Sequence, residues 1–473
     1  MTTTDYDVIV IGGGAVAENV ADRIVQGGLT AVLIESELVG GECSYWACMP
    51  SKALLRSAAA LRAARAVDGA KQAVTGDIDV AAVLRRRTSF THDWDDSSQV
   101  DWVAGAGIDL LRGHGRLTGP KAVSVEAADG TMTHLTARQA VVVATGSDPV
   151  LPGIVGLAEA EPWTPREATS ASVIPPSLAI IGGGVVAVEM ATAYAGLGSA
   201  VTVIARSGLL GSQEDVAGER VGAALEKLGV DLRLGVSPTA AKRDGDVTLD
   251  LSDGSAVTAT EVLVATGRQP RTTDLGLDTV GIEPGSWLDV DDTLLVRGTD
   301  WLYATGDVNH RALLTHQGKY QARAAGDVIV ARATGSSVDD EPWGAHVASA
   351  DHRAVPQVTF SDPEVASVGL TSTAAREAGF SVRVVDYDLG WVAGASVHAD
   401  GYEGVARMVV DTDREVLLGV TFVGPDVSEL LHAATIAVVG EVPIARLWHA
   451  VPAYPTMNEV WLRLLETYRD DTK

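Results

Sequence analysis

Two stretches of the chain share one order of apolar, glycine and helix-forming positions. Each begins with a short apolar run, at residues 8–11 and 178–181, which leads directly into three glycines and then into small and apolar residues. A second apolar run follows, at residues 31–34 and 200–204. This order predicts a buried strand, a tight turn, a helix and a parallel strand, the pattern of a dinucleotide-binding unit. We therefore predict an α/β fold with two Rossmann-like domains.

The spacing of the small residues is the same in both stretches. The positions are Gly12, Gly14 and Ala17 in the first stretch and Gly182, Gly184 and Ala187 in the second. Glycine at these positions permits a tight turn and lets a pyrophosphate approach the amide groups at the start of the helix. One match would be weak evidence, but two matches about 170 residues apart indicate that the chain binds two dinucleotides.

The residue that ends the second strand differs between the two units. In the first unit it is Glu35, whose carboxylate can hydrogen-bond a ribose diol, so this dinucleotide is predicted to be FAD. In the second unit the acid is missing, and Ala205 is followed by Arg206. Arginine can bind a 2′-phosphate through paired hydrogen bonds, which favours NADPH, with NADH also possible. The alternative is that Arg206 is a solvated loop residue.

The only two cysteines of the chain, Cys43 and Cys48, lie just beyond the first glycine run. Residues 49–51 are predicted to open a helix, because proline is tolerated in a first turn, so Cys48 would lie at the positive end of that helix. Cys43 could then close a disulfide with it. We interpret the pair as a redox dithiol, and the alternatives are a structural disulfide or two buried thiols. No metal site is predicted, because no further zinc-ligand residues lie nearby.

Composition and charge narrow the choice of partners. A chain of 473 residues with 46% hydrophobic residues can form several domains with large cores. The formal charge of −26 argues against binding to nucleic acid or anionic membranes, and we interpret it as a solvated acidic surface. Because the sequence shows neither a signal segment nor a long apolar run, we expect a cytoplasmic protein with no membrane association.

Six short motifs follow one another along the chain. They are the first glycine motif, the Cys43/Cys48 pair with Pro50-Ser51-Lys52, Ala144-Thr145-Gly146, the second glycine motif, Ala265-Thr266-Gly267-Arg268 and Ala304-Thr305-Gly306-Asp307. In the identity and order of these motifs, residues 5–467 resemble the pyridine nucleotide-disulfide oxidoreductases. Glutathione reductase, dihydrolipoamide dehydrogenase and mercuric reductase are members of that family.

The resemblance implies a domain organisation and an assembly. It implies an FAD-binding domain at residues 1–150, an NAD(P)-binding domain at 151–271, a return to the FAD or central domain at 272–345, and a C-terminal α+β dimerisation domain at 346–473. A homodimer is expected, with an active site that is shared across the subunit interface.

The resemblance also implies roles for individual residues. Around FAD, Glu35 would hold the adenosine ribose, Gly12, Gly14 and Ala17 the pyrophosphate, and Asp307 a ribitol hydroxyl, with Gly41, Thr145 and Gly146 as further cofactor-binding residues. NAD(P)H would be bound by Gly182, Gly184, Ala187, Arg206 and Gly267. Cys48 would lie against the flavin, and Cys43 would exchange with the acceptor.

A lysine–glutamate pair is expected beside the flavin. The family has such a pair at the positions of Lys52 and Glu189, where the cation stabilises a reduced anionic ring and the carboxylate offsets the buried positive charge. The alternatives are that Lys52 is an exposed helix residue and that Glu189 is a surface charge.

The sequence departs from the family at the position of a histidine base. Disulfide reductases of this family end with a His-Pro-Thr-x-x-Glu motif, in which the histidine shuttles protons for the thiols of the partner subunit. Here Tyr454 stands at the histidine position, and Glu459 matches the glutamate that orients it. Tyrosine is a poor base at neutral pH. His449 could take the place of the histidine base only if the backbone here differs from that of the family.

Tyr45 and Trp46, which lie between the two cysteines, form an unusual aromatic insert. This insert either narrows the disulfide side of the site or packs in the core.

Three functions follow as hypotheses. The first is an FAD enzyme that uses NADPH to reduce an unidentified small-molecule acceptor through the dithiol, either a small disulfide or a thiol-bound metal such as mercuric ion. Tyr454 and residues 201–206 resemble mercuric reductase, but the lack of an N-terminal metal-binding module and of a terminal cysteine pair argues against mercury delivery. The second is a quinone or dye reductase with direct transfer from the flavin, and the third is a non-enzymatic flavin redox sensor.

Overall fold

The structure is a computed structural model that describes residues 3–470. The predictions about a signal segment and about a terminal cysteine pair concern in part residues 1–2 and 471–473. These residues lie outside the described range.

The strands are numbered in chain order. They are β1 (Thr3–Ile11), β2 (Ala31–Glu35), β3 (Asp109–Arg112), β4 (His114–Gly119), β5 (Ala122–Glu126), β6 (Met132–Val143), β7 (Ser147–Pro149), β8 (Ser177–Ile181), β9 (Ala200–Ala205), β10 (Asp231–Leu234), β11 (Pro238–Asp244), β12 (Asp246–Leu251), β13 (Ala256–Ala259), β14 (Glu261–Val264), β15 (Arg268–Pro270), β16 (Leu302–Ala304), β17 (Pro356–Thr359), β18 (Glu364–Gly369), β19 (Val382–Asp388), β20 (Val405–Asp411) and β21 (Val416–Gly424).

The α-helices are numbered in the same way. They are α1 (Ala15–Gln26), α2 (Gly41–Tyr45), α3 (Cys48–Arg65), α4 (Val80–Phe90), α5 (Ser97–Gly105), α6 (Pro165–Ser170), α7 (Val185–Gly196), α8 (Asp215–Lys227), α9 (Thr315–Thr334), α10 (Ser372–Glu377), α11 (Ala393–His398), α12 (Leu431–Val439), α13 (Ile444–Leu447) and α14 (Val460–Asp470).

The first compact unit comprises the residues up to Pro50 together with residues 88–150 and 267–352. Its main sheet has the strand order β3-β2-β1-β6-β5-β4, and β16 pairs with β6. The pairs among β3, β2, β1, β6 and β16 are parallel, whereas β4, β5 and β6 form antiparallel pairs. Residues 8–11 and 31–34 are almost completely buried, which explains their uninterrupted apolar sequence, since parallel strands are covered on both faces.

Two helices of this unit pack closely against each other. In α1 the buried residues Ala17, Val20, Ala21 and Ile24 are spaced three or four positions apart and so share one face. Helix α9 approaches α1 at Gly318, where a Cβ atom would lie only 2.6 Å from Val16 Cγ2. A side chain at position 318 would therefore push the two helices apart.

The second compact unit comprises residues 51–87, 151–266 and 353 onwards. It contains a parallel sheet of order β10-β9-β8-β14, an antiparallel sheet β11-β12-β13 and an antiparallel sheet β17-β18-β21-β20-β19. Helices α12 and α14 pack against the five-stranded sheet. The predicted α/β class with a C-terminal α+β part is confirmed, while the predicted domain boundaries stay predictions.

Residues 3–470 contain no helix that combines the length and the apolar character needed to cross a membrane.

Candidate redox active site

The first glycine run forms a tight turn between β1 and α1. Gly12 has φ 109°, and a Cβ atom there would lie 2.4 Å from the Ala144 carbonyl oxygen, so both the conformation and the space require glycine. Gly14 precedes the first residue of α1 and has no side chain that could cap the helix. The amide groups of the first turn can therefore bind an anionic group such as a pyrophosphate. Ala17, also predicted at this site, is completely buried in α1.

The carboxylate of Glu35 lies beside this turn at the end of β2. It accepts hydrogen bonds from the backbone N–H of Gly13 and of Glu37, both at 2.6 Å. Burial raises the pKa of Glu35, and the two hydrogen bonds act in the opposite direction. The predicted ribose-binding carboxylate is thus held next to the glycine turn.

Asp307 and two of its neighbours form a polar cluster in the same unit. Ser147 Oγ donates to Asp307 Oδ2 at 2.5 Å, and Arg268 Nε donates to Ser147 Oγ at 2.6 Å. Near the end of β16, Thr305 Oγ1 is buried and has no hydrogen-bond partner among residues 3–470. A bound group with polar atoms would satisfy that hydroxyl. Together with the glycine turn and Glu35, this unpartnered hydroxyl fits a dinucleotide such as FAD.

Thr145 and Gly146 connect two parts of the first unit. The Thr145 hydroxyl donates to the Arg271 carbonyl at 2.9 Å, and the Arg271 N–H donates to the Gly146 carbonyl at 3.1 Å. The Arg271 guanidinium also pairs with Glu42, at 2.9 Å, and with Asp148. These contacts fix the loop after β6 to the residue that precedes Cys43. Gly267, predicted at the nicotinamide cofactor, lies in this unit, and its carbonyl accepts from the Val150 N–H at 3.0 Å.

The second glycine run repeats the turn in the second unit. Gly182 has φ 134°, and a Cβ atom there would lie 2.3 Å from the Ala265 carbonyl oxygen. Gly184 precedes α7, and Ala187 is completely buried within it. Arg206 follows the last residue of β9 and is exposed, so its guanidinium can meet a ligand phosphate. These residues fit a second dinucleotide.

The two cysteines lie in the thiol form at the junction of α2 and α3. Cys43 belongs to α2, and α3 begins at Cys48. The two thiols are hydrogen-bonded to each other, and Cys48 Sγ lies 3.4 Å from Thr315 Oγ1. The hydrogen bond to Cys48 and burial raise the pKa of the Cys43 thiol, as does negative charge on Cys48, whereas Lys319 acts in the opposite direction.

Helix α2 starts against the first glycine turn. A Cβ atom at Gly41 would lie 2.9 Å from Gly14 Cα, and the Gly40 N–H donates to the Gly13 carbonyl at 2.8 Å. The cysteine-bearing segment and the turn that fits a pyrophosphate are therefore in direct contact. Gly41 is required at this point because any side chain would separate them.

Tyr45 is a core residue. Its ring is completely buried, its hydroxyl donates to Gln99 Oε1 at 3.1 Å, and Trp94 Nε1 donates to its carbonyl at 3.2 Å. Of the two alternatives for the aromatic insert, packing in the core applies to Tyr45. Trp46 is half-buried and lies with its ring 5.7 Å from that of Tyr45.

Lys52 and Glu189 form an ion pair in the second unit. Lys52 Nζ donates to Glu189 Oε2 at 2.8 Å, and the Glu189 side chain is only 5% exposed. The other carboxylate oxygen accepts from the Phe360 N–H at 3.0 Å, and the ammonium lies 4.9 Å from the centre of the Phe360 ring. The alternative that Glu189 is a surface charge is wrong, because this carboxylate is buried.

Tyr454 and Glu459 lie in the C-terminal part of the second unit. Tyr454 is 76% exposed, whereas Glu459 is buried. Glu459 Oε1 accepts from Arg463 Nη2 at 2.5 Å, and its Oε2 atom has no hydrogen-bond partner among the described residues. His449 is exposed after α13, and its N–H donates to the Arg446 carbonyl.

Sequence reasoning missed several polar residues around the dithiol and the first glycine turn. They are Glu18, Glu42, Arg271, Thr315 and Lys319. Thr315 and Lys319 open α9, more than 260 positions after the cysteines, so no local spacing connects them with Cys48. The one signal in the sequence was a charged residue, Glu18, directly after Ala17 in an otherwise apolar glycine motif.

Comparisons with known proteins agree with this geometry. Residues 6–332 match the family described as pyridine nucleotide-disulphide oxidoreductase, and residues 355–464 match its dimerisation domain. A mercuric reductase from Shigella flexneri is 31% identical, with 98% of this chain and 81% of the relative covered. A dihydrolipoyl dehydrogenase from Halobacterium salinarum is 29% identical, with coverages of 98% and 96%.

Two solved structures share the fold. One is the HOCl-induced flavoprotein disulfide reductase RclA from Escherichia coli in a Cu(II) complex, with a TM-score of 0.82, 23% identity, and 98% of this chain and 99% of that chain covered. The other is LpdA from Mycobacterium tuberculosis, with a TM-score of 0.81 and the same identity and coverages. The resemblance drawn from the sequence is confirmed, and the chain belongs to the pyridine nucleotide-disulphide oxidoreductases, a family of FAD-dependent enzymes with NAD(P)H as electron donor.

Proposed function

We propose that the protein passes electrons from NADPH through FAD and the Cys43/Cys48 dithiol to a small acceptor. The acceptor class is a small disulfide or a soft metal ion carried on thiolates. The observation that carries this proposal is the direct contact between Gly41, at the start of the cysteine-bearing helix, and Gly14, at the turn that fits a pyrophosphate. Bound FAD would supply the hydride and electron-transfer chemistry that links the nicotinamide to a neighbouring disulfide.

The residues of the first unit would hold the cofactor. Glu35 would bind the adenosine ribose, the turn at Gly12 and Gly14 the pyrophosphate, and Asp307 the ribitol chain. Thr145 and Gly146 would shape the site through their hydrogen bonds to Arg271.

The two thiols would have different tasks. Cys48 begins α3, where the helix dipole favours a thiolate. The hydrogen bond to Cys48, burial and negative charge on Cys48 raise the pKa of the Cys43 thiol, so Cys43 would keep its proton when Cys48 is ionised. Cys48 would therefore be the thiolate against the flavin, and Cys43 the thiol that exchanges with the acceptor.

The Lys52–Glu189 pair would tune the cofactor. Lys52 follows Cys48 by one helical turn in α3. A cation there would stabilise negative charge on the reduced ring, and the buried carboxylate of Glu189 would hold the lysine in place. In the second nucleotide site, Arg206 would bind the 2′-phosphate of NADPH.

We infer a homodimer from the dimerisation domain at residues 355–464, with Tyr454 and Glu459 facing the dithiol of the other subunit. A phenol with an ordinary pKa near 10 takes up protons poorly at neutral pH. A thiolate-bound soft metal needs less proton transfer than a disulfide does. This favours the metal class, in keeping with the similarity of the chain to mercuric reductases.

A quinone or dye reductase is the second candidate, and the same tyrosine favours it, because direct transfer from the flavin needs no thiol base. The two candidates differ in their need for the exchanging thiol. We would measure NADPH oxidation by the FAD-loaded wild type, Cys43→Ser and Cys48→Ser with lipoamide, glutathione disulfide, thiol-complexed mercuric ion and a benzoquinone.

The dithiol proposal expects turnover of a disulfide or of mercuric ion that disappears in Cys43→Ser, while NADPH still bleaches the flavin of that variant. It also expects a long-wavelength absorption band after two-electron reduction that is lost in Cys48→Ser. Quinone as the only substrate, with equal rates in wild type and Cys43→Ser, would instead support the second candidate.

A further inference from the structure

Residues 304–309, which we call the Asp307 segment, carry the carboxylate proposed to bind the ribitol chain. The segment begins at the last residue of β16 and ends in a short 3₁₀ turn at Asp307–Asn309. Gly306, directly before Asp307, has φ 79°, and its N–H donates to a side chain instead of to the backbone. The shape of the segment therefore depends on the group that accepts this hydrogen bond.

The acceptor is Gln321, which is completely buried in α9. Its Oε1 atom accepts from the Gly306 N–H and from Asn309 Nδ2, both at 2.8 Å. Asn309 Nδ2 also donates to the Ala304 carbonyl at 3.1 Å. One side-chain oxygen thus holds the Asp307 segment on both sides of Asp307.

Asp351 orients the amide of Gln321. Gln321 Nε2 donates to Asp351 Oδ2 at 2.9 Å, and the Asp351 side chain is 0% exposed. A carboxylate only accepts hydrogen bonds, whereas the Gly306 N–H only donates, so a single orientation of the amide satisfies both. In the opposite orientation, N–H groups of Gln321 would face the N–H of Gly306. Asp351 therefore determines that an oxygen faces the Asp307 segment.

The surroundings of Asp351 compensate its buried charge. Its Oδ1 atom accepts from Gln317 Nε2 at 2.7 Å, and Arg311 Nη1 lies 3.7 Å from its Oδ2 atom. The Arg311 N–H also donates to Asn309 Oδ1 at 3.0 Å. Two amide groups and one cation meet this carboxylate, as a carboxylate without solvent contact requires. A fixed carboxylate of this kind can hold the Gln321 amide in one orientation.

We propose that Asp351 and Gln321 are positioning residues of the flavin site: Asp351 orients the Gln321 amide, and this amide holds the Asp307 segment in the shape that binds FAD. The proposal rests on the role in FAD binding that is proposed above for Asp307. Without the Gln321 oxygen, the Gly306 N–H and the Asn309 amide would be buried without an acceptor, so the segment would move to satisfy them. FAD binding would then have to restore the shape, and the affinity for FAD would fall.

The test compares the same substitution at two glutamines of α9. Both glutamines are buried and donate to Asp351, but only Gln321 contacts the Asp307 segment. The purified FAD-loaded proteins are diluted in steps, and free FAD is collected by ultrafiltration and quantified to give Kd. Gln321→Met should raise Kd about tenfold or more. The matched control Gln317→Met should leave Kd within about twofold of wild type. Equal increases in the two variants would overturn the proposal.

A pair of exchanged groups tests the hydrogen bond between the two side chains. Gln321→Glu places a second carboxylate against Asp351, so we expect a higher Kd at neutral pH. Adding Asp351→Asn restores a donor and an acceptor: the new amide can donate to the new carboxylate, and its oxygen can still accept from Gln317. The double variant should recover most of the affinity that Gln321→Glu loses.

The double variant keeps the size of both side chains and the net charge. It therefore tests the proposal even if Gln321→Met does not fold, which circular dichroism in excess FAD would show. A double variant that binds FAD no better than Gln321→Glu would overturn the proposal, as would a wild-type Kd in both Gln321→Met and Gln321→Glu.

Asp307→Ala separates the proposal from the role on which it rests. If Gln321→Met raises Kd but Asp307→Ala does not, the amide positions other atoms of the segment for FAD, and the proposed role of Asp307 is wrong. If Asp307→Ala raises Kd while Gln321→Met binds FAD like the wild type, the role of Asp307 stands and positioning by Gln321 is overturned. These measurements involve no electron acceptor, so they are independent of the proposed dithiol function.

Discussion

Lys52 and Lys71 form ion pairs of equal length that differ in burial. Lys52 Nζ lies 2.8 Å from Glu189 Oε2, and Lys71 Nζ lies 2.8 Å from Asp68 Oδ1. The Glu189 side chain is 5% exposed, whereas that of Asp68 is 70% exposed. We predict that Lys52→Met lowers the free energy of unfolding substantially, while Lys71→Met has no measurable effect, because exposed pairs contribute little.

The size of the effect follows from Coulomb's law. Two unit charges at 2.8 Å attract each other by about 1.5 kcal/mol in water and by about 6 kcal/mol at an effective dielectric constant near 20. The Lys52 side chain is 36% exposed, so solvent screening reduces the upper value. The carboxylate that remains keeps its hydrogen bond from the Phe360 N–H. We expect Lys52→Met to cost about 2–4 kcal/mol.

The measurement is urea unfolding of the FAD-loaded protein, followed by circular dichroism, in a double-mutant cycle with Glu189→Gln. The double variant should recover at least half of the loss, because it leaves no unpaired charge in the interior. Equal stability of the Lys52→Met and Lys71→Met variants would refute the reasoning from burial. Strictly additive effects of Lys52→Met and Glu189→Gln would refute the pairing itself.

Three other predictions concern cofactors and pH. Gly12→Ala should lose FAD during dialysis, seen as a fall in the flavin-to-protein absorbance ratio, because its Cβ atom would lie 2.4 Å from the Ala144 carbonyl oxygen. Arg206→Ala should reduce kcat/KM for NADPH about tenfold or more and leave that for NADH unchanged, and equal losses with both cofactors would contradict the phosphate contact. The raised pKa of Glu18 means that the folded protein binds the proton more tightly, so wild-type stability should fall by up to about 3 kcal/mol between pH 4.5 and about 7, and this fall should be absent in Glu18→Gln.

The fold and the family were accessible from sequence because their signals are local. Gly12 and Gly182 each combine a positive φ with a carbonyl oxygen within 2.4 Å of the position that a Cβ atom would take. The requirement for glycine is therefore visible in a short run of consecutive residues. The start of α3 at Cys48 also depends on neighbouring residues only. Such features can be recognised in a single sequence, because a few adjacent positions determine them.

The polar surroundings of the dithiol could not be predicted in the same way. Thr315 contacts Cys48 across 267 positions, and Arg271 pairs with Glu42 across 229 positions. Neither pair has a spacing rule, because tertiary packing brings its members together. Similarly, the sequence shows that Glu18 is charged but cannot show that one of its oxygens is buried without a partner.

The departure at Tyr454 can be understood from what remains around it. Glu459, which would orient a histidine, is still buried, and although one of its oxygens is paired with Arg463, the other has no hydrogen-bond partner among the described residues. The carboxylate that would orient a base is thus present, while the residue at the position of the base is a tyrosine.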